Sequence, residues 1–296
     1  MRYKKGFRLA LITAGFSGVA VFLNSLTVKA VGDPLVFTTV KNLGVAVILG
    51  IILLRQKVDW GEVKNQWRRL ALIGIIGGSL PFYLFFKGLM IVNPATGALI
   101  HKTLIFWVAL WALPRLKEKI SAKQWLALGI IFGSNFIIGG LPKFGWGVGE
   151  VMILAATILW AVENIIAKLA LKRLSAETVS GARMILGSLI LLAVTLMSGK
   201  MGLILKLNTS QWLMTGVSIL MLTGYVMSWY RALKLAPATL VATTLTLATI
   251  ITNGLSAVFI THSLKIELIY QTILLGIGMW FFVKEARKDE RIVALR

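Results

Sequence analysis

The sequence predicts an all-α membrane protein: ten transmembrane helices, arranged as two inverted five-helix repeats around a central cavity. Three observations predict it. Apolar residues come in ten blocks of about 20, the length that crosses about 30 Å of hydrocarbon. Lys and Arg concentrate in alternate loops. Short stretches of the first half recur in the second, in the same order and at a nearly constant offset.

The apolar blocks justify the spans. Of 296 residues, 57% are hydrophobic and 15% charged, with a mean hydropathy of +0.83. A soluble chain carries about 25% charged residues. The spans fall near 9–30, 34–54, 70–91, 94–114, 122–141, 147–168, 176–198, 211–233, 237–261 and 266–284. The opening MRYKKGFRLALITAGFSGVAVFL has a basic start but no small-x-small cleavage site. Its apolar run exceeds the usual core of a signal peptide, so it reads as an uncleaved first span. VNPATG and GLPKFGWG are Gly/Pro turns between neighbouring spans.

Charge sets the orientation. A net charge of +21 can point to nucleic acid, but here the basic residues sit in loops, which points to a lipid bilayer. With the N-terminus inside, 23 of the 32 Lys and Arg fall in inside segments and 5 outside. That bias places both ends in the cytoplasm, as an even number of spans requires. The expected location is a prokaryotic inner membrane. The absence of cysteine excludes disulfides, thiolate metal sites and thiol redox chemistry.

The repeat divides the chain into 1–141 and 142–296. FKGLMIVNPATGAL (Phe86 to Leu99) echoes YRALKLAPATLVA (Tyr230 to Ala242): Lys87 matches Arg231, and Pro94-Ala95-Thr96 matches Pro237-Ala238-Thr239. Thr38 and Lys41 match Ser180 and Arg183. On the first span, Thr13, Ser17, Ala20 and Asn24 match Thr157, Ala161, Asn164 and Lys168. Five spans is an odd number, so the halves lie in opposite orientation. Inverted repeats of this kind place a substrate site near the midplane where the halves meet.

The candidate site residues are the ionisable groups inside spans, each costing about 2.5–3.5 kcal/mol to insert. Lys41 shares a helical face with Thr38 and Gly44, and Arg183 with Ser180 and Gly187, so both face small, inward neighbours. Lys102 lies about 12 Å past Pro94 at 1.5 Å per residue. Its stripe is Ala95, Ala98, Ile105, Ala109 and Ala112, and the second half has leucine at the matching place. His101 reads first as a satisfied interior histidine. Glu163 is the one acid deep in a span; Trp160 shares its face and Asn164 is adjacent. It must pair, with Lys41, Lys102, Arg183 or Lys168, or be protonated, and a coupling proton is the sharper of those readings. Thr239, Thr243, Thr246 and Asn253 form one polar ridge on the ninth span. The matching ridge on the fourth is Thr96, Ile100 and Thr103, which is not the Lys102 stripe, so the two arguments disagree on which side of that helix faces inward. Lys87, Arg231, Lys168 and Lys172 sit at span ends and are expected to reach for the membrane surface.

The stretches KGLMIVNPATGALIHKT, LKEKISAKQWLALGIIFG and ALKLAPATLVATTLTLATI, with ILWAVENIIAKLALKRLSAETVSGARMILG opening the second half, resemble the drug/metabolite transporter superfamily, in particular two copies of its EamA domain. LKEKIS is similar to the short Glu-containing turn after the family's fourth span. Its second counterpart, THSLKIE, lacks the glutamate at that position. The resemblance implies a monomeric ten-helix basket working by alternating access on a small molecule, with Trp160 standing where an aromatic lines the family's cavity.

Two functions follow from the residues. Three interior cations, Lys41, Lys102 and Arg183, against Glu163 favour a secondary transporter of a small polar metabolite bearing carboxylate or phosphate, such as an amino acid. The alternative is a multidrug or cationic-compound exporter using Glu163. An enzyme is disfavoured: the two histidines, His101 and His262, are far apart, and no H-E-x-x-H or Walker motif occurs, so neither a metal cofactor nor nucleotide drive is expected.

Overall fold

A computed structural model describes residues 2–92, 94–139 and 147–294, and among them every regular element is helical. Hydropathy and length together put nine helices across a membrane among the described residues. They are α1 (Arg2–Val31), α2 (Pro34–Leu54), a third span, a fourth, α10 (Val148–Ala170), α11 (Ala176–Met197), α13 (Thr209–Leu235), a ninth and α16 (Ile266–Ala294). Short α3 (Trp60–Asn65) and α12 (Met201–Leu205) lie in loops. The fifth predicted span is a shorter pair, α8 (Ala122–Gly133) and α9 (Phe136–Gly139). The GLPKFGWG turn lies outside the described residues but for Gly147. The chain is thus an all-helical membrane bundle of the predicted size.

Three of these spans are interrupted, each for a local reason. The third runs α4 (Trp67–Ile73), a π-helical turn (Gly74–Ser79) and α5 (Leu80–Leu89). Pro81 has no amide hydrogen to bond the carbonyl four residues back, and a widened turn takes up the mismatch. Inside it the Ser79 hydroxyl donates to the carbonyls of Gly74 and Ile75, at 3.2 and 3.0 Å.

The fourth span breaks at Thr103 between α6 (Pro94–Lys102) and α7 (Leu104–Leu116). The ninth breaks at Thr246 and Leu247 between α14 (Ala238–Leu245) and α15 (Ala248–Phe259). In each, a threonine hydroxyl bonds the carbonyl three residues back at 2.6 Å, and that threonine's amide bonds the same carbonyl at 3.1 Å. These bonds tighten the helix into a 3₁₀ turn at matching positions of the two sequences. A tightened turn advances the helical phase, so no single 3.6-residue stripe runs through the fourth span. Beyond the break Ile105, Ala109 and Ala112 are buried, with α7 packed on α10; before it Ala98 is exposed.

Packing follows the same pairing. α1 lies along α13, α14 and α15, while α10 lies along the third span, α6 and α7; α2 packs on α11, and α8 on α16. The glycines predicted to admit close approach do so. A Cβ on Gly187 would stand 2.5 Å from the Gly78 backbone, and one on Gly44 2.4 Å from Ile219. Asp33 caps α2 through the amides of Leu35 and Val36, at 2.9 and 3.1 Å, and receives the Lys200 ammonium at 2.5 Å. Partial burial pushes its carboxyl up, but the Lys200 bond and the two amides outweigh that and hold it below the ordinary 3.8. Its contribution is therefore complete above the unfolded value and is lost as pH falls through the lower folded one.

Two predictions follow. Gly78→Ala places a Cβ 2.2 Å from the Arg183 carbonyl, a backbone atom that cannot rotate away, whereas Gly129 has nothing within 4 Å. Gly78→Ala should lose folded protein, by about 3 kcal/mol or more, and Gly129→Ala should unfold at or above the parent temperature in detergent. Asp33→Asn keeps the cap but loses the ion pair. It should cost roughly 0.2–1 kcal/mol at neutral pH, and the difference from the parent should shrink in melts below about pH 4.

Candidate functional site

The site forms where the widened turn of the third span meets α10, α11, α13 and α2. Pro81 cannot donate to the Gly77 carbonyl, and two side chains do: Arg183 Nη2 at 3.0 Å and Trp160 Nε1 at 3.2 Å. The neighbouring Gly78 carbonyl accepts from Asn42 Nδ2 at 3.0 Å. Gly77 must be glycine, since a Cβ there would sit 2.5 Å from Glu163 Cγ and 3.1 Å from Arg183 Nε. Glu163 and Arg183 therefore abut one backbone position from two helices.

Glu163 is buried, and its Oε1 accepts a hydrogen bond from the Tyr230 hydroxyl. The tyrosine is not among the partners expected from the sequence, whereas Arg183, which is, stands beside Glu163. Lys168 is engaged elsewhere, on the carbonyls of Leu233 and Ala236, and Lys41 lies among rings. The ion pairs of the described residues, Arg173 with Glu62, Lys200 with Asp33 and Arg231 with Glu177, all lie outside this cluster.

Lys41 is 1% exposed. Its ammonium stands 4.5 Å from the Phe37 centroid, 4.6 Å from Phe86 and 5.6 Å from Phe82, with no hydrogen-bond acceptor among the described residues. The Arg183 guanidinium is 5.8 Å from that same Phe82 ring and 5.8 Å from Tyr230, and its buried Nε has no partner among the described residues. The two cations matched by the sequence repeat thus converge on one aromatic ring. Cation–π contact of this kind contributes about 2 kcal/mol or more when desolvated, but it leaves N–H groups unbonded.

The other candidates take distinct places. Trp160 packs edge-on to Phe82 and to His101, with centroids 5.3 and 5.2 Å away. His101 Nδ1 lies 3.4 Å from the Thr157 hydroxyl, as a satisfied interior histidine does. Asn164 accepts from Trp229 Nε1 at 3.1 Å. Lys102 ends α6 at the break, partly exposed, with no hydrogen bond or ion pair among the described residues. Asn24 is partly exposed on α1, and its Oδ1 has no partner among the described residues. Thr243 bonds its own backbone at Thr239, and Asn253 donates to Gln271 at 2.8 Å, joining α15 to α16 rather than to the cluster. Of the expected span-end residues, Arg231 pairs with Glu177 and Lys87 reaches Tyr83, whereas Lys168 turns inward.

Tyr230, Phe82, Phe86, Asn42 and Gly77 are functional candidates that the sequence reading does not single out. The run GGSLP, paired glycines followed by a proline inside an apolar span, is the signal that finds the widened turn.

Tyr230→Phe should leave Glu163 Oε1 without this donor and cost about 1–3 kcal/mol. The double variant with Glu163→Gln should cost less than the two singles together, by about 0.5–3 kcal/mol. Additive single effects in thermal melts would show that the contact carries no coupling.

Comparison with known proteins agrees with this architecture. An uncharacterized transporter of Archaeoglobus fulgidus is 25% identical over 183 residues, covering 60% of this chain and 63% of the relative. The uncharacterized transporter YyaM of Bacillus subtilis is 26% identical over 170 residues, 54% of each. The matched stretch thus spans less than two thirds of either relative. A solved crystal structure superposes with a TM-score of 0.72 over 97% of this chain and 99% of its own, at 15% identity, which shows a shared fold. The profile of the EamA-like transporter family matches twice, over residues 4–140 and 147–284, and the chain belongs to that family.

Proposed function

We propose that the protein is a secondary transporter of a small polar metabolite bearing a carboxylate or phosphate, an amino acid or a relative of one, moved by alternating access. In this reading the halves are inverted, both termini face the cytoplasm, and protons couple through Glu163. The observation that carries the substrate class is the unused hydrogen-bond donors on two buried cations that share one buried acid. Lys41 has ring faces around its ammonium, Arg183 keeps an unbonded Nε, and Glu163, beside Arg183, balances one of the two charges. An anionic oxygen supplies the missing acceptor, and charge-assisted bonds of this type are about twice as strong as neutral ones. Lys102, beside the helix break, is the second point of contact, and a zwitterion's amine meets Glu163.

A thermal-shift screen of the purified protein against a metabolite library tests this. A ligand at a hundred times its Kd stabilises by about 2.7 kcal/mol. Carboxylates or phosphates should raise the melting temperature, and Lys41→Met and Arg183→Met should abolish that shift. A hit list of organic cations only would support the exporter reading instead. With a hit in hand, Lys102→Ala should stop transport in proteoliposomes while the protein stays inserted; normal transport by it would remove Lys102 from the site.

A further inference from the structure

The junction between α13 and α14 is a two-residue extended link, Ala236 and Pro237, and both helix ends at this link are held by charge. On the α13 side, the Lys168 ammonium donates to the carbonyls of Leu233 and Ala236. On the α14 side, the Glu118 carboxylate accepts from the amides of Ala238 and Thr239, at 2.7 and 3.1 Å, and from the Thr239 hydroxyl at 2.7 Å. A cation on terminal carbonyls and an anion on initial amides each match the sign of that helix end. Glu118 reaches across from the loop after α7, in the other half of the sequence. α1 closes over the same link, where a Cβ on Gly6 would lie 2.7 Å from that of Ala236.

The repeat puts uncharged residues at the positions matching this pair. The turn that presents Glu118 is present twice. Lys117 and His262 both adopt left-handed backbone, with φ of 57° and 48°. In both turns the next amide bonds a carbonyl six residues back, Glu118 to Ala112 and Ser263 to Ala257. Glu118 in one copy is therefore Ser263 in the other. Lys168 likewise corresponds to Asn24, whose Oδ1 has no partner among the described residues.

We infer that Glu118 and Lys168 form an electrostatic clamp on the α13–α14 link, holding closed the end of the bundle where α1 begins, and that their repeat-matched counterparts at the opposite end, Ser263 and Asn24, form none. Both are positioning residues that act through the link. The inference rests on the alternating-access reading above, because a clamp at one end matters only if the two ends open in turn.

The chain has no cysteine, so paired nitroxide labels can be placed without background. Lys119 and Leu235 flank the clamp; Leu264 and Ile91 are their counterparts at the other end. By pulsed electron resonance in lipid, Glu118→Gln and Lys168→Met should each lose the short Lys119–Leu235 component, and Glu118→Asp should retain part of it. Ser263→Glu should add a short Leu264–Ile91 component, a gain that a merely structural role for Glu118 would not produce. A Lys119–Leu235 distribution unchanged in Glu118→Gln overturns the clamp. If it is unchanged while both ends still show open and closed populations, the clamp fails and alternating access stands. If Glu118→Gln loosens its own end but no variant moves the two distances in opposite directions, the alternating-access reading and the gate built on it fall together.

Discussion

One carbonyl organises the interior of this protein. Pro81 lacks the hydrogen that would bond Gly77 in a regular α-turn, and a carbonyl at such a break in a membrane helix draws donors from neighbouring helices. Arg183 and Trp160 meet it. That requirement draws α11 and α10 onto the third span, and the two glycines beside the proline make the approach short enough. The arginine's place, the tilt of the Trp160 ring and the enclosure of Glu163 all follow from a donor that proline lacks.

The same region shows how a membrane core tolerates excess positive charge. Three phenylalanines around Lys41 and the Phe82 and Tyr230 rings beside Arg183 offer partial negative faces in place of carboxylates. Their contribution of about 2 kcal/mol per desolvated contact is comparable to the roughly 2.5–3.5 kcal/mol that an inserted cation costs. Rings therefore settle the charge without consuming its hydrogen-bonding capacity. Glu163 stands beside Arg183 and accepts from Tyr230, so it balances charge without occupying the Arg183 Nε.

Much of this was legible in the sequence, because a bilayer imposes length and hydropathy on every span and because the chain repeats itself. The correspondence of Lys41 with Arg183 anticipated that both face inward, and the structure seats them on one ring. What stayed hidden has physical reasons. Tyr230 was overshadowed by Arg231, whose charge marks the span end while the neighbouring hydroxyl turns inward. The face of the fourth span was ambiguous because a constant 3.6-residue period was carried across Thr103, where the turn tightens. Glu118 was visible only as part of a motif: a loop residue that caps a helix 120 positions later leaves no local trace.

The contact between Gly78 and Gly187 has a mechanical consequence. Two backbones touch there with no side chain between them, so there is nothing to rotate out of the way and no room to slide. It acts as a rivet joining the third span to α11. Flexure of the bundle is then displaced to the segments on either side, and the threonine-tightened turns at Thr103 and Thr246 are where the helical ladders are already interrupted. The backbone is braced where the buried charges lie, and the interruptions of the helical ladders lie one helix away.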